Sequence, residues 1–130
     1  MTGPIQLTPL QLALMEVLWQ RGEATVAEVH AAVKKRRRLA PNTIATVLKR
    51  LAAQGVVAHR SEGRQFVYRA LVGEKEARAS MVAELSERLF GGDVARLVSH
   101  LIEEHEIRPG DLEKVRALID SKTAKRRRER

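Results

Sequence analysis

The sequence predicts a mainly α protein with one small β-hairpin, in which a front domain is followed by a helical lobe. Three observations carry this reading. Apolar residues recur at helical spacing in six separate stretches, most of them opened by a cap residue or a proline. The period changes to two only once, between residues 56 and 71. Charge is segregated by sign: residues 1–71 hold 11 Lys and Arg against 4 acids, residues 72–121 hold 7 against 11, and residues 122–130 hold 6 against 1. The expected division is therefore 1–72, 73–121 and 122–130.

The first helix begins after Thr8, an N-cap that Gln11 completes as a capping box, with Pro9 at the first helical position. Leu7 and Leu12 are spaced for a hydrophobic staple, and Leu10, Leu14, Val17 and Leu18 form the inward stripe up to Gly22. Trp19, the one tryptophan, is expected to pack in the core. In the second helix Thr25 caps, Glu28 closes the box, and Val26, Val29 and Val33 face inward before the run KKRRR. The third opens at Pro41, with Ala40 held extended ahead of it, and stops at Gly55. Residues 56–60 and 65–71 are rich in β-formers, with SEGR as the turn between them; Phe66, Tyr68 and Ala70 are expected on one face and Val67, Arg69 and Leu71 on the other. Three further helices follow, from about Glu74, from the Asp93 cap and from Pro109, with Gly91-Gly92 stopping the first of them. Residues 122–130 contain no apolar side chain larger than Ala124 and read as a flexible basic tail.

The composition narrows the function classes. The chain has 130 residues and a net charge of +8, enough for one domain or a domain with a small extension. It has no cysteine, which removes disulfides, thiolate metal sites and thiol catalysis and fits a cytoplasmic protein. There is no membrane-spanning run and no secretory leader pattern. His100, Glu103 and Glu104 share i, i+3, i+4 spacing, but helical His and Glu are usually plain surface residues, and no tetrahedral His/Cys set accompanies them. His30, His59 and His105 complete the histidines. No metal, cofactor or catalytic site is expected, so the protein does not read as an enzyme.

Three helices followed by a hairpin is the winged helix-turn-helix layout, whose later helix enters the major groove. In the third helix Ile44, Val47, Leu48 and Leu51 make the buried stripe, while Asn42, Thr43, Ala45, Thr46, Lys49 and Arg50 make a face without a single acid. Asn can pair with an adenine edge, and Ala and the Thr methyl can pack on a thymine methyl; Lys49 and Arg50, further along, suit phosphates. Lys34, Lys35, Arg36, Arg37 and Arg38 are five adjacent cations, more than a helix C-terminus needs to offset its dipole. His59, Arg60 and Arg64 are the wing candidates for the backbone or minor groove, and Arg69 serves either there or in an internal ion pair. Taken alone, the third helix reads equally well as an ordinary solvated face; the basic front half and the layout favour DNA. In the second half Met81, Leu85, Leu89, Leu97, Leu101, Val115, Leu118 and Ile119 supply either a three-helix core or a dimer interface, and a symmetric dimer would set two reading helices one DNA turn apart.

LTPLQLALMEVLW, TVAEV, NTIATVLKRLAAQGVV, FVYRAL and FGGDVARLVSHLIEEHEI together resemble the penicillinase repressor family and its copper-responsive relatives, over about residues 7–121. The resemblance implies a winged-helix repressor that binds double-stranded operator DNA as a homodimer through its C-terminal lobe, with the third helix as reader. It also implies a regulatory protease as a partner of some members, cutting inside the fifth helix at an Asn-Phe bond; His100-Leu101 stands at the matching place and departs from that pattern. The cysteines of the copper-responsive relatives are missing here. Two rivals stay open: a winged helix used for protein contact, and a non-specific basic architectural binder of nucleic acid driven by the tail.

Overall fold

The computed structural model describes residues 4–104 and 107–129. The first helix is α1 (Pro9–Arg21), followed by a three-residue strand, β1 (Glu23–Thr25), and α2 (Val26–Val33). Next come α3 (Pro41–Ala53) and the hairpin strands β2 (Val57–Glu62) and β3 (Gln65–Ala70). The chain continues as α4 (Glu74–Phe90), α5 (Val94–Glu103) and α6 (Pro109–Arg128).

The helix starts follow the sequence closely. Thr8 and Gln11 form a full capping box on α1, and Thr25 and Glu28 form another on α2. Each such box satisfies two amides that the first helical turn leaves without partners. The Glu28 carboxylate accepts from the Thr25 N–H at 3.0 Å and also pairs with Arg21. The Thr25 backbone and side-chain hydrogen bonds, then Arg21, hold the Glu28 carboxyl below the usual carboxylate range.

Leu14, Met15, Ile44, Leu48, Leu51 and Val29 are wholly buried, and around them sit Leu18, Tyr68, Val57 and Ala24. This core joins the three helices to one face of the sheet. Ile5 and Leu7, from the segment before α1, close it from below. The stripe expected on α1 was too narrow, since Met15 and Gln11 are buried as well. Trp19 packs against the core and donates its indole N–H to the Val72 carbonyl at 2.8 Å, which ties α1 to the exit from the hairpin.

The hairpin lies in a three-stranded antiparallel sheet ordered β1-β3-β2. β2 extends to Glu62, so the connection is the pair Gly63-Arg64 rather than all of SEGR, with Gly63 at φ 64°. That backbone conformation suits glycine in a two-residue hairpin turn. Tyr68 faces the core, but Val67 on the opposite face is also buried, and Phe66 is not.

Two compact units emerge, one ending at Glu84 and the other beginning at Leu85. The expected boundary after residue 72 lies too early, because the first turns of α4 belong to the front core. Ala77 is buried there, Met81 packs against the same cluster, and the Ile5 N–H donates to the Ser80 hydroxyl at 2.9 Å. Met81 thus leaves the expected dimer set. The tail also differs: residues 122–128 continue α6 as helix, with Arg130 outside the described residues. Lys, Arg and Ala are good helix formers, and cations in a last turn offset the negative end of the helix dipole.

A carboxyl whose folded pKa is depressed adds stability above its unfolded pKa and loses it as the pH falls through the folded value. Glu28→Ala is therefore expected to lower the melting temperature at neutral pH, by an amount that shrinks on acidification through the carboxylate range. Thermal melts of both proteins across that range check this; a pH-independent difference would contradict it.

Candidate nucleic-acid interface

The exposed face of α3 is set by its buried one. Ile44, Leu48 and Leu51 have no accessible surface, so Asn42, Thr43, Thr46, Lys49 and Arg50 stand outward in solvent, with Ala45 half-buried at their margin. The Thr46 hydroxyl donates to the Asn42 carbonyl at 2.9 Å. Its one O–H donor is thereby used within the helix, and the methyl and the oxygen's acceptor capacity are what remain for a partner. Unlike α1 and α2, α3 has alanine at its N-cap and no side-chain cap, so the positive end of the helix is open beside Asn42.

The five cations from Lys34 to Arg38 differ in their surroundings. Residues 34–36 form a turn after α2, fixed by Arg36 and Arg37 N–H groups donating to the Val33 carbonyl at 3.0 and 2.9 Å. Arg36 and Arg37 line shallow pockets against α1 with Ala13 and Glu16, and Arg37 is half-buried. Lys34, Lys35, Arg36 and Arg38 stay exposed. His30, which was assigned no site role, is half-buried with Nε2 2.9 Å from the Leu39 carbonyl and so holds the approach to α3 in place.

On the wing, Arg60 and Arg69 differ in their partners. Arg60, expected as a DNA contact, is committed internally: its guanidinium donates to both Glu23 oxygens, at 2.7 and 3.2 Å, and to Glu62 at 2.7 Å. The Glu23 hydrogen bond, with the charges of both acids, pushes its pKa further up. Arg60 reaches from β2 across β3 to β1, and its register partner Val67 is buried on that face. Arg69, opposite Glu23 in the ladder, has no ion pair among the described residues. Arg64 at the turn is exposed, as is His59, whose ring lies 4.5 Å from Phe66 and 5.5 Å from Tyr68 between centroids. A groove of about 470 Å³ separates this part of the hairpin from α3; Lys49, Ala45, Arg64 and Phe66 are on its walls.

The profile of the penicillinase repressor family matches residues 7–121. The chain belongs to the penicillinase repressor family. It is a DNA-binding transcriptional repressor, and the family is not one of enzymes. The penicillinase repressor of Bacillus licheniformis is 24% identical over 115 residues, covering 88% of this chain and 90% of that one. The transcriptional regulator BlaI of Mycobacterium tuberculosis is 36% identical over 100 residues, covering 75% and 72%. The solution structure of the DNA-binding domain of the repressor BlaI superposes with a TM-score of 0.52 at 33% identity, over 58% of this chain and 93% of that one. The winged helix read from the sequence is thus the fold of the front unit.

In the second unit, Leu85, Leu89, Val115, Leu118 and Ile119 are exposed, and Leu97 and Leu101 are half-buried. The His100-Leu101 bond lies inside α5, where the His100 ring is tilted against Phe90 with centroids 5.9 Å apart. His105 is outside the described residues. No helix among the described residues is long and apolar enough to cross a membrane.

Neutralising a cation that touches phosphate reduces the salt dependence of binding by about one counterion. Arg64→Gln and Lys49→Gln are each expected to lower the slope of log K against log salt by about 1. Arg60→Gln should leave the slope nearly unchanged and lower the melting temperature instead. Fluorescence anisotropy over a salt series, with a melt of each variant, separates the two classes.

Proposed function

We propose that this repressor acts as a homodimer on a pseudo-palindromic operator, with α3 of each protomer in the major groove and the hairpin on the adjoining backbone. Asn42, Thr43, Ala45 and Thr46 meet base edges; Lys49, Arg50, Arg64 and His59 meet the backbone, and Lys34, Lys35 and Arg38 add general phosphate attraction. The observation that carries this is the two-sidedness of α3: a stripe without accessible surface backs a bare, acid-free face.

The homodimer rests on the apolar side chains of the second unit. Leu89, Leu118 and Ile119 are 63%, 62% and 58% exposed, and with their apolar neighbours they exceed the isolated leucines ordinary on a monomer surface. A symmetric pair would cover them and would match a two-fold operator. The relatives' names make a β-lactamase or other antibiotic-response regulon the first to examine, and the protein's place is then the cytoplasm, with the chromosome.

Selection of bound duplexes from a random pool tests the reading. The expected result is an inverted repeat whose half-sites lie about one helical turn apart, or a multiple of it. A pool that stays random after selection, or a single unrepeated site, would overturn it. Leu118→Asp is expected to shift the protein to monomer in sedimentation and to weaken binding to the selected duplex by at least tenfold. Deleting residues 122–130 should spare sequence preference and reduce only the salt dependence; loss of all binding would favour the architectural rival.

A further inference from the structure

Phe66 is the one large aromatic ring of the front unit that the core does not take. Tyr68, two residues along the same strand and on the same face, is 1% exposed, whereas Phe66 is 42% exposed. The strand has passed the edge of the core at that point, and the ring lies 4.5 Å from His59 and edge-on to Tyr68 at 6.5 Å between centroids. The ring lines the groove between hairpin and α3, whose walls also carry Ala45, Lys49 and Arg64. That groove therefore pairs an apolar patch with two exposed cations. A sugar-phosphate strand has the complementary composition: an apolar deoxyribose face alternating with anionic phosphate.

Resting on the DNA-binding reading above, the geometry points to Phe66 as a further DNA-contact residue, packing on a deoxyribose of the strand that enters this groove while Lys49 and Arg64 hold the neighbouring phosphates. The contact is apolar and blind to sequence. It adds affinity and fixes how deeply the wing seats, but it releases no counterion. Its signature therefore differs from that of every cation around it.

The test uses the full chain and the duplex that the unmodified protein selects from a random pool; failure of that selection would indict the functional reading, not this contact. Phe66→Ala is expected to weaken binding about tenfold, a reasonable loss for half an aromatic face returned to water. The slope of log K against log salt should match the unmodified protein, while Arg64→Gln lowers it by about 1. Phe66→Leu should recover most of the affinity. Phe66→Trp places a second indole at the groove, and its emission should change on adding duplex beyond the response of Trp19 in the unmodified protein. Replacing every thymine by uracil should leave the Phe66→Ala ratio as it was. Unchanged affinity in Phe66→Ala, a silent Phe66→Trp, or a loss that tracks a fall in melting temperature would overturn the inference. So would disappearance of the effect in the uracil duplex, which would move the ring to a base methyl.

Discussion

A helix can offer side chains to a groove at fixed depth only if its other face does not move. In this protein Ile44, Leu48 and Leu51 supply that constraint, since none retains accessible surface. Interiors are packed to crystal-like density, so a helix anchored at three successive turns cannot roll without opening voids. The positions of Asn42, Thr46 and Lys49 follow from this, and so does the groove whose far wall is the hairpin. α2 contributes the approach to α3 rather than the reading surface: His30 meets the Leu39 carbonyl, and the turn after α2 closes on Val33.

The parts that were legible in the sequence are those decided locally. Capping boxes at Thr8 and Thr25, the Pro41 start and the apolar spacing of α3 are settled by residues within a turn of one another, and each stands where periodicity puts it. The parts that were not legible are decided by distant partners. Glu23–Thr25 carries little strand signal in three residues and becomes β1 only by pairing with β3 some forty positions away. That pairing places Glu23 within reach of Arg60, so an arginine that looked free for phosphate is spent on closing the sheet. Its neighbour on the ladder, Arg69, looked the better candidate for an internal pair, and only the register distinguishes them.

The second unit shows the same limit from the other side. Helical spacing located α4, α5 and α6, but not what their apolar faces cover. No residue of α5 or α6 is buried in the single chain, and much of their large apolar surface faces water. Spacing also could not divide α4, whose first turns close the front core through Ala77 and Met81. The basic tail has no apolar residue larger than Ala124, yet it continues α6 to Arg128. Helix needs no core to continue for two turns from an existing end: the costly step is nucleation, and α6 has already made it.

The chemistry of one reading face argues for a second copy. Asn42, Lys49 and Arg50 there carry groups able to make two-pronged hydrogen bonds to a base, and Lys49 and Arg50 sit in the C-terminal half of α3, far from the end that enters deepest. The Thr46 hydroxyl has its donor engaged by its own helix, and Ala45 offers a methyl. With each good base contact worth about 1–3 kcal/mol, one protomer discriminates by a few kcal/mol. Specific regulators separate operator from other DNA by about 4–10 kcal/mol. Cations at Lys34, Lys35, Lys49 and Arg64 cannot make up the difference, because phosphate attraction raises binding to every sequence alike. Joining two such faces makes the second reading event intramolecular and adds its discrimination to the first. On that arithmetic the proposed homodimer would tie the exposed leucines of α4 and α6 to operator recognition as closely as the polar face of α3.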